Sequence, residues 1–356
     1  MRIIGRPRAL VAVVAGALLL AGCGSGPSQV GAAAVIGDRT VSIDQVQALI
    51  DKAVREQPYA QKLAAEHKLE EVGRAAVTQL VVHELLLKAA EKHGITPNYG
   101  QIDAQLAKDP LNGKVPADAS NEAQAVSQVV TRSRDHREEL TDTYLAQALA
   151  EKLLPNLSVT FDFTTIGSMP DPNTGSALQG EDAKKAALDL ARQLAADPAA
   201  AAKRIGADVQ YEAQLRDQAK QAGRNVDSIP PLSGLGDAVP ATQAGALAST
   251  PVFGSPAGTV VAVPYPSQDL AGTWFVGVIR QRTDDRTVAT ERTPELDAAT
   301  KTAIGMRQLQ PLFDELGVRV NKRYGVWDVV GMNVVPNLDS TQGLVLPPGG
   351  SGRTQQ

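Results

Sequence analysis

Hydrophobic periodicity predicts a helical first half of the chain that opens with a short hairpin. Residues 33–41 contain an apolar run, a Gly-Asp pair and a second short extended piece, which is typical of two strands joined by a tight turn. Ser42 and Gln45 have the spacing of a capping box, so a helix is expected to begin there. Apolar residues cover most faces of the segment 70–93, which predicts a long helix buried among several neighbours. A further long helix is predicted for residues 120–154.

The pattern changes after Pro155, where apolar and polar residues begin to alternate. The alternation in residues 159–163 predicts a strand, and residues 258–263 and 273–279 are also strand-like. An Ala-rich helix is predicted after the first of these strands, at residues 181–196. Strands and helices in this order indicate a mixed α+β module of roughly 130 residues.

Helical spacing returns near the end of the chain. A helix followed by two extended pieces is predicted for residues 293–335, and Pro311 should kink that helix or confine it to its later turns. Residues 336–356 are rich in Pro, Gly, Ser and Gln and have no periodicity, so this tail is predicted to be disordered. The pattern as a whole predicts a mainly α-helical fold of the α+β class.

The first residues of the chain have the layout of an export signal. Three arginines precede an apolar run from Ala9 to Leu20. This run is shorter than the roughly 20 residues that a spanning helix needs, and it has the length of a signal-peptide core. Small residues then lead to Cys23, the only cysteine among the 356 residues.

The segment that ends at Cys23 resembles a bacterial lipobox. The resemblance implies that residues 1–22 are a lipoprotein signal peptide, that cleavage occurs before Cys23, and that its sulfur carries a diacylglycerol. Residues 23–32 would then be a flexible tether, and the acyl chains would hold the protein at the extracytoplasmic face of the cell membrane. The alternative is an ordinary secretory signal with a cysteine at this position by chance.

Composition excludes several classes of function. Removal of residues 1–22 takes away three arginines and no acidic residue, which changes the formal net charge from −4 to −7. An acidic chain without a basic patch is not expected to bind nucleic acid. With Cys23 acylated, no thiol remains for disulfides, metal binding or redox chemistry. We expect no cofactor and no metal site.

Several segments of the first half together resemble the N-terminal domain of SurA-like periplasmic chaperones and PrsA-type foldases. They are the Val-Ile-Gly-Asp-Arg-Thr-Val run at residues 35–41, the capped helix after it, the Leu-rich segment 80–87, and Lys-His-Gly-Ile-Thr at residues 92–96. The resemblance covers about residues 33–154. It implies that residues 33–155 form a helical, SurA-type chaperone domain.

The same resemblance implies that the two ends of the polypeptide meet. A C-terminal helix and strand in residues 287–335 would complete the chaperone domain, and the strand near Val35 would pair with the chain near Val318 or Val326. The module between them, residues 156–286, would then be an insert.

The insert resembles a parvulin-type prolyl isomerase domain in outline. Residues 159–166 resemble its first strand, residues 233–236 a shortened form of its glycine turn, and residues 246–280 its final helix and strands. Parvulins usually place a histidine in the first and in the last strand, and the corresponding stretches here, 160–163 and 275–278, contain none. All four histidines of the chain precede the insert. The insert is therefore expected to be a degenerate parvulin-like module without isomerase activity.

Individual candidate residues favour structural roles, and no catalytic residue is assigned. His83 has no partner at helical spacing and no evident carboxylate cluster for a metal, so a structural histidine is favoured. His136 lies in a charged run that favours a solvated helix face, and a Ser-His-Asp triad stays open only through His67 or His83. Residues 233–236 lack the Lys-Ser/Thr of a phosphate loop and favour a turn. Trp327 favours a strand anchor over a ligand platform.

Three functions remain. The favoured one is a membrane-anchored extracytoplasmic chaperone that holds unfolded or newly exported polypeptides without ATP, through a wide and adaptable apolar surface. The second is an active parvulin-type peptidyl-prolyl cis-trans isomerase, which the outline of the insert favours and the missing histidines oppose. The third is a non-enzymatic scaffold or ligand-binding lipoprotein of the cell envelope.

Overall fold

The computed structural model describes residues 31–170, 175–226, 229–284 and 295–348. The predicted signal peptide, the predicted lipid-attachment residue Cys23 and most of the predicted tether lie outside these residues. In the described ranges, no helix combines the length and the apolar character that a membrane crossing requires.

The N-terminal part of the chain is a helical domain that opens with a hairpin. Its elements in chain order are β1 (Ala32–Ile36), β2 (Arg39–Ser42), α1 (Ile43–Glu56), α2 (Pro58–Ala65), α3 (Leu69–His93), α4 (Tyr99–Leu106), α5 (Glu122–Ser133) and α6 (His136–Leu153). Both bonds of the capping box are present, from the Gln45 amide to Ser42 Oγ at 3.1 Å and from the Ser42 amide to Gln45 Oε1 at 2.8 Å. The predicted hairpin, capped helix and long buried helix are confirmed.

The insert is built around an antiparallel sheet. Its elements are β3 (Ser158–Ile166), α7 (Gly180–Ala196), α8 (Pro198–Gln221), β4 (Ser233–Pro240), α9 (Pro251–Gly254), β5 (Val260–Pro264) and β6 (Trp274–Thr283). The first and the last of these strands, β3 and β6, lie side by side, with β4 next to β3 and β5 next to β6. Helices α7 and α8 pack on one face of the sheet, and α9 with the 3-10 helix Gly245–Ser249 packs on the other.

The C-terminal segment returns to the helical domain. Its elements are α10 (Ala298–Arg307), α11 (Gln310–Leu316), β7 (Arg319–Val320), β8 (Val326–Asp328), β9 (Asn333–Val335) and β10 (Leu344–Leu346). Strand β7 pairs antiparallel with β1, with Val35 opposite Arg319. The result is a three-stranded sheet in the order β2-β1-β7, so the expected pairing of the two ends of the polypeptide is present.

Helix α10 packs directly on α6, the last helix before the insert. A Cβ added to Gly305 would lie 1.8 Å from the carbonyl oxygen of Ala146, so only glycine allows this approach. An ion pair between Lys301 and Glu151 at 2.7 Å flanks the contact. The predicted fold class is confirmed: the fold is mainly α-helical, of the α+β class, and a C-terminal helix and strand complete the N-terminal domain.

The hairpin of β8 and β9 covers α3. The Val334 amide donates a hydrogen bond to Thr78 Oγ1 at 2.9 Å. The ring of Trp327 is buried and stacks on Phe313 of α11, with ring centroids 4.9 Å apart. Trp327 therefore anchors the C-terminal segment to the core of the helical domain, which is the role that its position in the sequence favours.

Two helix predictions require correction. The single helix predicted for residues 120–154 is two helices, α5 and α6, which are separated at Arg134 and Asp135. Arg134 has an extended backbone, and Asp135 caps α6 by accepting a hydrogen bond from the Glu138 amide at 3.0 Å. Helix α8 was not predicted at all, because its apolar residues are hardly segregated to one face.

Two predictions of irregular structure also require correction. The predicted disordered tail, residues 336–356, contains a 3-10 helix at Leu338–Ser340 and the strand β10, which pairs with β5. The order of this tail comes from its pairing with the distant strand β5, and the sequence of the tail therefore has no periodicity that reveals it. Residues 349–356 lie outside the described residues. Residues 233–236, predicted to be a turn, begin strand β4.

A buried charge network stabilises the break between α5 and α6. Arg134 is 5% exposed, donates from Nη2 to Asp142 Oδ2 at 2.8 Å, and pairs through Nη1 with Glu139. His83 of α3 contacts the other carboxylate oxygen of Asp142 through Nδ1 at 2.6 Å. Burial alone would lower the pKa of His83, but the hydrogen bond with Asp142 and its negative charge outweigh burial and raise that pKa above its ordinary value.

Replacement of His83 by glutamine is expected to destabilise the protein more at acidic than at alkaline pH. A histidine whose pKa is raised in the folded state contributes its stability fully below its unfolded-state pKa, about 6.5, and loses it as the pH rises through the folded-state pKa. Loss of a hydrogen bond between charged partners costs about 1.5–3 kcal/mol, so we expect a cost in that range at about pH 5.5 and a smaller one at about pH 8.5.

Urea denaturation of the unmodified and the His83→Gln proteins at both pH values measures this difference. His67→Gln is the control, because His67 is an exposed histidine of the same domain. An equal cost of His83→Gln at both pH values would contradict the role assigned to the ion pair with Asp142.

Candidate functional site

The two stretches that the parvulin resemblance singles out are neighbours in the structure. Residues 160–163 lie on β3 and residues 275–278 on β6, and the two strands pair along their length. Phe163 is directly opposite Gly277. The side chains that would have to act on a substrate in such a module therefore lie close together in the sheet.

Aromatic rings occupy this part of the sheet. Phe163 stacks on Phe275 with ring centroids 5.2 Å apart, and Phe161 meets both rings edge-on at 5.6 and 5.7 Å. The rings lie over glycines of the neighbouring backbone. A Cβ on Gly234 would be 2.7 Å from the ring of Phe163, and one on Gly277 would be 2.7 Å from the ring of Phe275. Phe161 and Phe275 are buried in the core on the α9 side of the sheet, with the partly buried Phe163 packed against them, so these positions supply packing contacts instead of polar groups.

Asp162, the acid of strand β3, is engaged by structural partners. Its side chain is buried, and Oδ1 accepts a hydrogen bond from the Gly236 amide at 2.8 Å. Its Oδ2 accepts a hydrogen bond from Arg280 Nε at 2.7 Å. These bonds tie β3 to its neighbours β4 and β6, so the carboxylate is not available as a general acid or base.

A second buried polar cluster lies on α8, the helix that the sequence analysis missed. Glu212 accepts hydrogen bonds from the Leu232 amide at 3.0 Å and from Ser233 Oγ at 2.6 Å. Burial by itself would raise the pKa of Glu212, but these bonds and the pairing with Arg216 outweigh it and hold that pKa below its ordinary value. Arg216 donates to the carbonyl oxygen of Ile229 at 3.2 Å. The cluster therefore orders the loop before β4, and the i,i+4 spacing of Glu212 and Arg216 is the signal that would have found it.

The candidate residues named from the sequence are not brought together into a site. His83 pairs with a carboxylate of α6, His136 Nε2 contacts the carbonyl oxygen of Arg132 at 3.1 Å, and His67, the other histidine left open for a triad, is exposed. Within the part of the chain that the structure describes, no three His, Cys, Asp or Glu side chains are grouped so as to hold a metal ion. Cys23 lies outside the described residues.

Large exposed apolar side chains come from separate elements. Among the described residues they are Leu87, Tyr99, Leu178, Ile229, Leu235 and Leu338. Apolar residues exposed singly are common on protein surfaces and do not mark a binding site. At one edge of the insert's sheet, β10 lies against β5.

The helical domain matches a known family. No curated protein and no solved structure matches the chain. Residues 7–154 match the family model described as the SurA-like N-terminal domain. The match ends where α6 gives way to the insert, so it covers the hairpin and the helices but not the insert's sheet. Residues 7–154 of this chain are therefore similar to the SurA-like N-terminal domain, which supports a SurA-like, chaperone-type foldase.

Proposed function

We propose that this protein is a membrane-anchored extracytoplasmic chaperone that holds unfolded exported polypeptides without ATP and without prolyl isomerase activity. The observation that carries the proposal is the SurA-like N-terminal domain of residues 7–154. Leu312 and Phe313 of α11 and Trp327 of β8 belong to the same core as α1 and α3, so the helical domain includes the C-terminal segment. A chaperone-type domain whose hydrophobic core includes the C-terminal segment supports a function in holding unfolded polypeptides.

The insert supports a binding role more than a catalytic one. Its order of elements is a strand, two helices, a strand, short helices and two strands, and we interpret it as a degenerate parvulin-like module. Rotation about an ordinary peptide bond has a barrier of about 18–20 kcal/mol, and catalysis of such a rotation relies on positioned polar groups. Phe163 and Phe275 lie on the relevant strands instead, and Asp162 is held by Arg280. These contacts favour a module that does not turn over proline bonds.

Export and anchoring are proposed from the first residues of the sequence. The arginines, the apolar run of signal-peptide length and Cys23 support a lipoprotein that is attached to the cell membrane through the acylated Cys23 and faces away from the cytoplasm. The clients available there are polypeptides that emerge unfolded from export. Weak binding of their extended segments does not require ATP.

The protein without residues 1–23 is expected to suppress the aggregation of a chemically unfolded, reduced client at near-stoichiometric ratios, because it shields the apolar segments of that client. Light scattering after dilution of the client measures the effect. An inert folded protein at the same mass concentration is the control. Failure with several clients, while circular dichroism shows the protein to be folded, would count against the chaperone function.

We expect no acceleration of prolyl isomerisation by this protein, because the sheet face of the insert carries rings in place of polar groups. Uncatalysed isomerisation takes tens to hundreds of seconds at about 25 °C, so a proline-limited peptide assay detects even modest catalysis. Phe163→Ala is the matched variant, since it removes a ring without adding a polar group, and it should also leave the rate at its uncatalysed value. Turnover by the unmodified protein would favour the active isomerase instead.

Cys23→Ser is expected to move the protein from the membrane fraction to the soluble fraction, because serine lacks the sulfur that would carry the diacylglycerol. Fractionation of cells followed by immunoblotting measures the distribution. Ser25→Ala, two positions away, is the control and should leave the protein with the membrane. A Cys23→Ser variant that stays in the membrane fraction would refute the lipid attachment.

A further inference from the structure

The last described residues of the chain return to the insert and add a strand to its sheet. β10, Leu344–Leu346, pairs antiparallel with residues 260–262 of β5 in continuous register, and its central residue Val345 lies opposite Val261. The segment therefore occupies a sheet edge in the way that a bound peptide does in strand addition.

The side chains of β10 contact both layers of the insert. Val345 packs against the core on the α9 side, which includes Phe275. Leu344 and Leu346 pack against the core on the α7 side. All three side chains are only half-buried, whereas residues 260–263 of β5 are buried. The edge of β5 thus offers apolar contact on two sides together with backbone donors and acceptors.

Two prolines end the strand. Pro347 and Pro348 line a shallow groove together with Leu194 and Pro198, beside the edge of the sheet. A proline has no amide hydrogen and cannot continue the ladder, so the pairing stops after Leu346. The edge of β5 is therefore paired with an apolar run that ends at proline.

A connection of eight residues, 336–343, leads from β9 to β10. Between β9 and β10 lies a 3-10 helix whose Leu338 is 49% exposed. The Gln342 amide, just before β10, donates to Asp328 Oδ2 at 2.9 Å. A short strand with half-buried side chains belongs to the part of a structure that opens at low cost in free energy. The sheet persists when β10 leaves, because β5 remains paired with β6.

The opposite edge of the sheet is less suited to strand addition. Strand β4 has a register irregularity against residues 161–163 of β3, a φ of 68° at Gly236, and Pro240 at its end. Bulges and prolines blunt an edge against pairing with another chain. β5 has continuous register with both of its neighbours, so its edge is the one that accepts an extended segment.

We propose that the edge of β5 is the peptide-binding site of this protein and that it binds extended apolar segments followed by proline. In the free protein β10 occupies this edge, and it is displaced when such a segment binds. This inference rests on the proposed chaperone function. Backbone pairing supplies contacts that any extended chain can make, and the apolar contacts on the two sides of the edge select segments with the side-chain order of β10. The attached tail competes at an effective concentration of about millimolar, so the tail and a client exchange at the edge according to their relative affinities.

A disulfide that locks β10 onto β5 tests this site in the chain without residues 1–23, which contains no native cysteine. Val261→Cys and Val345→Cys place two cysteines directly opposite each other on paired strands. The probe is a fluorescein-labelled peptide with the sequence of residues 341–348, and fluorescence anisotropy measures its binding. We expect the reduced protein to bind the peptide at least about tenfold more tightly than the oxidised protein, because the lock removes the free edge.

A second variant releases the edge instead of locking it. Leu344→Asp combined with Leu346→Asp removes the apolar contacts of the tail with the α7 side, so this variant should bind the peptide at least as tightly as the reduced protein. The controls are Val345→Cys alone, which should not respond to oxidation, and a peptide of the same composition in scrambled order, which should bind more weakly.

Equal binding of the peptide by the oxidised and the reduced forms would overturn the proposed site, and so would equal binding of the scrambled peptide. Aggregation assays on the same two forms separate this failure from failure of the chaperone function. If both forms suppress the aggregation of the client, the chaperone function stands and the β5 edge is rejected as its site. If neither form suppresses it, the chaperone function itself is rejected. Absence of a disulfide after oxidation would reject the pairing of β10 with β5 on which the site depends.

Discussion

The pairing of β1 with β7 is the interaction on which the rest of the structure depends. The side chain of Asn321, just after β7, donates to the carbonyl oxygen of Ala32 at 2.9 Å across 289 positions of sequence. The contact of Gly305 with Ala146 joins the helices on both sides of the insert. The insert is therefore attached at two points that are held together. Closing so long a loop costs entropy, which the pairing of β1 with β7 and the contacts of α10 and α11 with the helical domain must offset.

Arg307 links the insert to the C-terminal segment at their common boundary. Its guanidinium donates to the carbonyl oxygen of Ser249 in the insert at 2.9 Å and to that of Val329 in the β8–β9 hairpin at 2.8 Å. Burial lowers the pKa of Arg307 to about 10, against the opposing charge of Asp328. The same Asp328 accepts the Gln342 amide of the tail. The carboxylate that offsets a buried cation therefore also holds the start of the tail.

Features whose causes are local could be predicted from the sequence, and features whose causes are distant could not. The capping box at Ser42 and the left-handed glycine at Gly317 depend on residues within one turn, so spacing and residue type reveal them. The helix break at Arg134 has one local signal, the N-cap spacing of Asp135 and Glu138, which was overlooked, and one distant cause, since the guanidinium of Arg134 finds its partner Asp142 only in the folded state. Strand β10 was missed because its composition is typical of disorder and a distant strand orders it. The same distinction applies to the candidate site. The absence of histidines from residues 160–163 and 275–278 can be read from the sequence, whereas the covering of a sheet edge by a distant strand cannot.

In the proposed chaperone, an open sheet edge would create a conflict among unfolded chains, and the tail strand would resolve it. A regular, unpaired edge recruits any extended chain, including another copy of the same protein, and so promotes aggregation. An edge closed by a long, fully buried strand would avoid that risk but would bind nothing. β10 lies between these limits, since its three half-buried side chains contribute only part of the free energy of full burial and the ordering of the tail opposes it. In the proposal, covering of this strength would protect the edge when no client is bound and would give way to a client that makes better apolar contacts.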